Sequence, residues 1–361
     1  MKNGVYGTVE KLNKELTRQR AARQDLVADT RSLSVETVNG KMVLTVHAGE
    51  QEFNYDVNDL AHRQIADKLK IPYGYYQRMQ NEVPELLDNN VNTWFKQNPK
   101  AQMLRILDGN VRAFLSARYR RLDNLELLDA VLPEIEKMRG VVIVSMDVTE
   151  THLYIKVVNK NMKKEIGVGD VVYSGFVISN SEVGLGAINV SPMLYRKVCS
   201  NGLILNEFAG RKYHAGKAVE NTESAYEFYS DTTMALDDAT YFSKVKDIIK
   251  ATADDIAFEK IVQKIRASQR IKISDPIKAV DVLKDRFVLS QQEQANLMMH
   301  FLKDGDYTLY GLTNAITRTS QDVADYDRAT ELERMGGVFL AEGLANQDKT
   351  NKTYMNELLA A

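Results

Sequence analysis

Cysteine is nearly absent from this sequence, which has one, Cys199, among 361 residues. A single cysteine excludes a disulfide framework and a cysteine-rich zinc site, and it is typical of a protein from a reducing cytosol. The sequence also lacks a run of about 18 apolar residues, which a membrane-spanning helix requires. Its first twenty residues are polar and charged where a secretory signal peptide needs an apolar stretch. We therefore expect a cytoplasmic protein with no membrane partner.

Motifs for nucleotide and metal binding are missing as well. The segment GRKYHAGKA at 210–218 has one residue too many between its glycines for a phosphate-binding loop, and it ends in alanine. The five histidines are scattered, without a His-x-x-x-His pair or carboxylates at metal-ligand spacing. We expect no cofactor, no metal and no catalytic residues. One alternative stays open, an enzyme in which Cys199 is the nucleophile and His214 its base.

The chain is long enough for two domains, because single hydrophobic cores stop growing at roughly 250–300 residues. Strand-like alternation prevails up to about residue 222 and helical periodicity beyond it, with a boundary in the segment at 214–224. We predict an N-terminal arm over 1–30, an α+β core domain over 31–215 and a helical domain over 216–361. The predicted fold class is α+β, an antiparallel β-sheet core with flanking helices followed by a C-terminal helical region.

Local signals place several elements within these domains. Asn-Gly at 39–40 and Asp-Gly-Asn at 108–110 predict tight turns between strands. Helices are predicted over about 8–28 and 124–139. A further helix is predicted to begin at Ser191-Pro192 and to end at Asn201-Gly202.

Two more signals mark helix starts in the C-terminal part. Ser290 and Glu293 have the spacing of a capping box, in which each side chain binds the other residue's backbone N–H. Asp275-Pro276 predicts the start of another helix.

Charge is unevenly distributed although the formal net charge is only −2. The segment 89–121 has seven basic residues and one acidic residue, a balance of +6, and 151–217 has nine against four, +5. The segment 218–259 has ten acidic and three basic residues, −7. A site for a polyanion must therefore be a local patch of the core domain.

The stretch LDGNVRAFLSARYRRLDN at 107–124 gathers arginines and aromatic residues. In a strand, residues two apart share a face, so Arg112 and Phe114 point away from Ala113 and Leu115, which suit a core. We expect Arg112 and Phe114 to face solvent or another layer.

This mixture of residues is typical of a single-stranded nucleic-acid groove, because guanidinium groups bind phosphates and aromatic rings stack on bases. The candidate contact residues are Arg105, Arg112, Phe114, Arg118, Tyr119, Arg120, Arg121, Lys156, Arg196 and Lys197. The alternative interpretation is structural. In it, the arginines pair with Asp123, Glu126 and the acidic helical segment.

Five motifs resemble a phage- and plasmid-encoded family, the domain of unknown function number 932. They are IPYGYYQRM, LRILDGNVRAFLSARYRRLDN, GVGDVVYSGFVISNSEVG, YRKVCSNGLI and LYGLTNAITR, in this order over roughly residues 60–320. The resemblance implies a role in the DNA metabolism of mobile elements, or in their contest with host defence. It also suggests a core similar to that of single-strand annealing recombinases of the RecT, Redβ and Erf kind, which form oligomers and use no nucleotide cofactor.

The function expected on these grounds is single-stranded DNA binding in recombination or annealing, by a homo-oligomer in the cytoplasm of a bacterial host cell. Another hypothesis is an interaction protein that inhibits a host defence or restriction system. The sequence gives no role to the conspicuous Asn-Ser-Glu at 180–182.

Overall fold

The computed structural model describes residues 4–186, 188–197, 201–205, 210–212 and 231–345. Within them the chain forms two six-stranded β-sheets and a helical region that begins at residue 231. The predicted fold class is confirmed, an α+β chain with an antiparallel sheet core and a C-terminal helical region. Cys199, His214 and the boundary predicted at 214–224 lie outside the described residues.

The first sheet comes from the N-terminal third of the chain. Its strands are β1 (Arg23–Asp29), β2 (Leu33–Val38), β3 (Lys41–Ala48), β4 (Gln51–Val57), β5 (Ala101–Leu107) and β6 (Asn110–Ser116). Their order is β1-β5-β6-β4-β3-β2, antiparallel except for a short parallel pairing of β4 with β6. Helix α1 (Val9–Ala22) precedes the sheet, and α2 (Asp59–Lys68), α3 (Tyr73–Glu82) and α4 (Pro84–Gln97) pack on one face.

Both predicted turns of this sheet are confirmed. Asn39 and Gly40 have φ angles of 52° and 79°, and Asp108 and Gly109 have 51° and 78°. Two successive residues with positive φ give a two-residue turn the twist of the hairpin it joins. Asn or Asp followed by Gly is the pair that adopts this conformation at least cost.

Helix α1 is shorter than the sequence predicts. It ends at Ala22, and the residues up to 28 that were expected to continue it belong to β1, which pairs with β5. Leu12 and Leu16, one helical turn apart, are its buried residues. The strand escaped prediction because its ladder partner lies far along the chain, and such non-local pairing overrides local propensity.

The second sheet contains β7 (Val141–Val148), β8 (Leu153–Gly167), β9 (Asp170–Asn180), β10 (Ile188–Arg196), β11 (Asn201–Ile204) and β12 (Gly210–Lys212). Its order is β11-β10-β9-β8-β7, with β12 paired to β10, and all these pairings are antiparallel. Helix α5 (Asn124–Lys137) precedes the sheet, where a helix over 124–139 was predicted.

The helix predicted to begin at Ser191-Pro192 is a strand instead. Ser191 lies opposite Val177 and Pro192 opposite Phe176, and Asn201-Gly202 opens β11. The local signals predicted the wrong element because β10 has a paired strand on each side. The backbone hydrogen bonds to both neighbours stabilise the strand more than the capping preferences of a few residues would stabilise a helix.

Six helices follow within the described residues 231–345: α6 (Asp231–Ala251), α7 (Asp255–Ser268), α8 (Pro276–Phe287), α9 (Gln291–Asp304), α10 (Leu309–Thr319) and α11 (Tyr326–Ala345). The predicted capping box of Ser290 and Glu293 is present at the start of α9, and Asp275 caps α8. Helices α7 to α11 share one apolar core with residues of β8 to β11, so this region packs on the second sheet. No helix in the described part of the chain is long and apolar enough to cross a membrane.

Candidate nucleic-acid interface

Strand β6, which carries the predicted patch, is covered on both faces. Phe114 is buried beneath α4, where its ring stacks on that of Phe95 with centroids 5.9 Å apart. Ala113 and Leu115 are buried on the opposite face against Val183. Phe114 thus meets another protein layer rather than solvent, and it is not accessible to a base.

A β-bulge at Arg112 explains why the two-residue alternation expected for this strand does not hold. Arg105 lies opposite Ala113, whereas Ile106 lies opposite Val111, so Arg112 is the extra residue of β6. A period-two pattern loses its phase at a bulge. The side chain of Arg112 is 11% exposed rather than free in solvent.

Arg105 is the centre of a buried ionic cluster, which we call the arginine junction. Its side chain is 0% exposed, and its Nη2 donates to Asp25 at 3.0 Å and to Asp123 at 2.8 Å. Arg23 also donates to Asp123. The junction comprises Arg23, Asp25, Arg105, Arg112, Asp123 and Glu182. Arg105, one of the candidate contact residues, is therefore paired with carboxylates inside the protein.

The Asn-Ser-Glu triplet at 180–182 fastens the end of β9 to this junction. The Glu182 carboxylate accepts from Arg112 Nη2 at 2.5 Å and from the Asn124 backbone N–H at 2.7 Å. The Glu182 carbonyl accepts from Arg105 Nη1 at 2.8 Å. The Asn180 amide donates to Leu122 O and Asn124 Oδ1, both at 2.9 Å. The triplet thus has a structural role, because it ties the second sheet to the first.

The pH dependence of stability should reveal the junction. Burial alone would raise the pKa of Asp123, but the charges of Arg105 and Arg23 and their hydrogen bonds outweigh it and hold this pKa below its usual value. A depressed pKa adds stability above the unfolded-state pKa of about 3.9 and loses it as the pH falls through the folded-state value.

We expect the free energy of unfolding in urea to fall below about pH 4, and to fall less steeply in Asp123→Asn. The same curvature in both proteins would show that Asp123 does not contribute. Asp29→Asn is a matched control, because this carboxyl also has a lowered pKa but its side chain is 40% exposed.

Two further candidate residues form salt bridges, Lys156 with Glu333 of α11 and Arg196 with Asp170 of β9. Lys156 is 0% exposed, and its Nζ lies 2.7 Å from Glu333 Oε2 on α11 and 4.8 Å from the ring centroid of Tyr326. Arg196 Nε donates to Asp170 Oδ1 at 2.6 Å. A buried, paired lysine cannot reach a phosphate without rearrangement of α11, so the contact predicted for Lys156 would require that rearrangement.

The remaining candidates lie closer to solvent. Arg118 and Lys197 are exposed, and Arg121 is 52% exposed with Nη1 3.8 Å from Asp25. Tyr119 and Arg120 are partly buried, and the Tyr119 hydroxyl donates to the Ser181 carbonyl at 3.1 Å. Contact of these residues with nucleic acid stays a prediction.

One end of the second sheet leaves aromatic side chains partly exposed next to lysines. Tyr173 on β9 lies opposite Tyr195 on β10 and Lys163 on β8, and opposed residues share a face of the sheet. The two tyrosine rings are 6.4 Å apart and inclined at 49°. We call this the open face, made of Val142, Val144, Lys163, Tyr173, Tyr195 and Lys197.

The surroundings of the open face are mainly basic. Lys160 is exposed in the middle of β8, where its N–H donates to the Gly140 carbonyl, and Arg139 is exposed just before β7. Lys164 lies 3.0 Å from Glu259 of α7, and Glu165 accepts from the Gly169 N–H at 2.8 Å. Lys160 and Lys163 form no salt bridge with any described residue. Sequence reasoning missed the open face because Tyr173 and Tyr195 become neighbours only through the β9–β10 register.

No group of His, Cys, Asp and Glu side chains in the described ranges could hold a metal ion. The proposed nucleophile Cys199 and base His214 lie outside these ranges, so the enzyme hypothesis stays a prediction.

Comparison with known proteins gives one result. No curated protein and no solved structure matches the chain. The model of one protein family matches residues 113–353, more than half of the chain, and this range includes every described strand of the second sheet and helices α5 to α11. The chain therefore belongs to the family described as domain of unknown function (DUF932).

Proposed function

We propose that this protein binds single-stranded nucleic acid, DNA in preference to RNA, through the open face, and acts in phage or plasmid DNA recombination or annealing. The observation that supports the proposal is the pair of tyrosines on adjacent strands, on a sheet face that the described helices leave partly exposed, with Lys163 and Lys197 beside them. Aromatic side chains on a basic sheet surface are the usual means of holding unpaired bases.

The chemistry of the open face favours a single strand over a duplex. Every base presents a flat surface that stacks on an aromatic ring for about 1–3 kcal/mol, but in a duplex these surfaces are already stacked. Lysine ammonium groups bind phosphates as point charges with no preference for sequence. Binding of this kind needs neither a nucleotide cofactor nor a divalent metal. The homo-oligomer expected from the sequence stays a prediction.

Fluorescence anisotropy with labelled single-stranded and duplex DNA tests the proposal. We expect Tyr195→Ala to weaken single-strand binding by about 1–3 kcal/mol, roughly five- to 150-fold in Kd, and Tyr195→Phe to keep most of the affinity because the ring remains. Tyr75, 49% exposed on α3, supplies the matched control, since Tyr75→Ala removes an exposed ring elsewhere. Equal binding by all three variants, or stronger binding of duplex, would contradict the proposal.

A further inference from the structure

The hairpin of β8 and β9 has one face in the open face and one face packed on a helix. Lys163 lies opposite Tyr173, and both belong to the open face. The next residue, Lys164, lies opposite Val172, which shares an apolar core with α7, and Lys164 Nζ is 3.0 Å from Glu259 of that helix. Because successive residues of a strand point to opposite faces, the open face and α7 lie on the two sides of this hairpin.

The hairpin ends in a turn with an exposed apolar residue. Val168 is fully exposed between Gly167 and Gly169, and we call these three residues the hairpin tip. The φ angle of 75° explains the glycine at 169, but turns do not favour a β-branched residue such as that at 168. A single exposed valine is common on protein surfaces, so its surroundings decide what it means.

The C-terminal end of α7 reaches the hairpin tip. Arg266 Nη2 donates to the Glu165 carbonyl at 3.1 Å. The side-chain nitrogen of Gln269 lies 3.9 Å from the position that a Cβ on Gly167 would take. The tip is therefore next to the residues that follow α7.

Two exposed cations stand at this end of α7. Arg270 and Lys272 form no ion pair with any described residue, and we call them the α7 cations. The five other arginines of residues 231–345 each donate to a carboxylate, a carbonyl or a hydroxyl group of a described residue. The fold thus leaves the charge of Arg270 available.

The hairpin tip lies between two groups of available cations. Lys160 and Lys163 are on the side of the open face, and the α7 cations are on the other side. Residues 160–170 and 259–272 together contain eight basic and three acidic residues, a balance of +5. Such a surface attracts a polyanion, and the apolar tip with Tyr173 beside it suits the bases of a nucleic acid.

This inference rests on the proposed function and gives the bound strand a path. We propose that a single strand held at the open face continues across the hairpin tip to the α7 cations, with phosphates at Arg270 and Lys272 and a base against Val168. The open face alone holds a short strand. A longer strand gains the contacts beyond the tip.

The test compares two lengths of strand. Labelled oligodeoxythymidylates of about 4 and about 16 nucleotides, which bracket the usual site sizes of single-strand grooves, are bound to the full-length protein over a range of salt concentrations. With the longer strand, Arg270→Gln, Lys272→Gln should flatten the log–log slope of affinity against salt by about 1.4, about 0.7 for each cation. With the shorter strand the slope should equal that of the wild type. An unaltered slope with the longer strand, or an equal change with both, would overturn the proposal.

Val168→Ser tests the contact at the tip. It should weaken binding of the longer strand by at least about three-fold, and the salt slope should stay the same because an apolar contact releases no counterion. Wild-type affinity of this variant for the longer strand would contradict the path across the tip. Displacement of the longer strand by poly-L-glutamate as readily as by unlabelled DNA would also contradict it, because the surface would then fit an acidic protein.

A matched control and a stability measurement exclude indirect effects. Lys11→Gln, Lys14→Gln removes two exposed lysines of α1, which packs against α5, and should bind both strands as the wild type does. Cations at the C-terminal end of a helix also stabilise the helix. A lowered melting temperature of Arg270→Gln, Lys272→Gln with an unaltered salt slope would show that these residues only stabilise α7, and the proposal would be wrong.

Tyr195→Ala separates this inference from the proposed function. It should weaken binding of both strands, because its ring belongs to the open face that both lengths use. If Tyr195→Ala bound both strands as tightly as the wild type, the proposed function would fail. If it weakened both while the α7 cations proved irrelevant at either length, only the path across the hairpin tip would fail.

Discussion

Lys156→Met is expected to lower the free energy of unfolding by about 3–5 kcal/mol, because removal of one partner of a buried ion pair leaves an uncompensated charge. Both side chains of the pair are 0% exposed. Glu333 Oε1 accepts no hydrogen bond from any described residue, so Lys156 supplies the main compensation for this carboxylate. Urea denaturation followed by circular dichroism measures the loss.

The double variant Lys156→Met, Glu333→Leu is the control for this prediction. Because well-packed apolar residues often replace a buried ion pair without loss, we expect the double variant to recover most of the stability. If Lys156→Met alone were as stable as the wild type, Lys156 would be solvated and would not be paired with Glu333 of α11. In that case the lysine would again be a candidate for phosphate binding.

Arg105→Met is the second change with a large expected effect. It removes the fully buried one of the two arginines that Asp25 and Asp123 share, so that Arg23 alone bridges them, and it leaves the Glu182 carbonyl without its Nη1 donor. We expect a loss of about 3–5 kcal/mol. Since Arg105 joins the two sheets, the unfolding transition should also lose cooperativity, which different spectroscopic probes would show as separate midpoints.

Arg121→Gln is the matched control for Arg105→Met. The Arg121 side chain is 52% exposed and lies 3.8 Å from the same Asp25 carboxylate. Exposed substitutions of this kind change stability by within about 0.5 kcal/mol. If Arg121→Gln destabilised the protein as much as Arg105→Met, the junction would extend to the surface and burial would not be its main determinant.

Local signals in the sequence predicted those parts of the fold that depend on a few adjacent residues. The turns at 39–40 and 108–110 follow from the left-handed conformations that Asn, Asp and Gly accept. The capping box at Ser290 follows from a spacing of three residues. Such features need no knowledge of the rest of the chain.

Features that depend on distant partners could not be predicted in this way. Arg105 is buried because Asp25, Asp123 and the Glu182 carbonyl surround it, and Asp25 and Glu182 lie about eighty residues away on either side. In the sequence alone, a buried arginine in an ion cluster and an exposed arginine in a binding patch look the same. The bulge at Arg112 adds to the difficulty, because it shifts the phase of the alternation.

The open face was missed for the same reason. Tyr173 and Tyr195 are 22 positions apart in a sequence with 17 tyrosines, and only the register of β9 with β10 brings their rings together. The prediction of a helix from Ser191 concealed this register. Lys197 directly follows β10, the strand of Tyr195. It belongs both to the candidate residues chosen from the sequence and to the open face.

The salt dependence of single-stranded DNA binding tests most directly whether the open face is the binding surface. Each phosphate contact releases counterion, so the log–log slope of affinity against salt falls by about 0.7 for each cation removed. The account predicts that the slope flattens by roughly 2 in a triple variant of the open face and its surroundings, Lys160→Gln, Lys163→Gln, Lys197→Gln. The matched control is a triple variant of exposed lysines in or next to the first sheet and its helices, Lys68→Gln, Lys96→Gln, Lys100→Gln. The control should leave the slope unchanged. An unaltered slope in the first triple, or a slope flattened only by Arg118→Gln, Arg121→Gln, would contradict it.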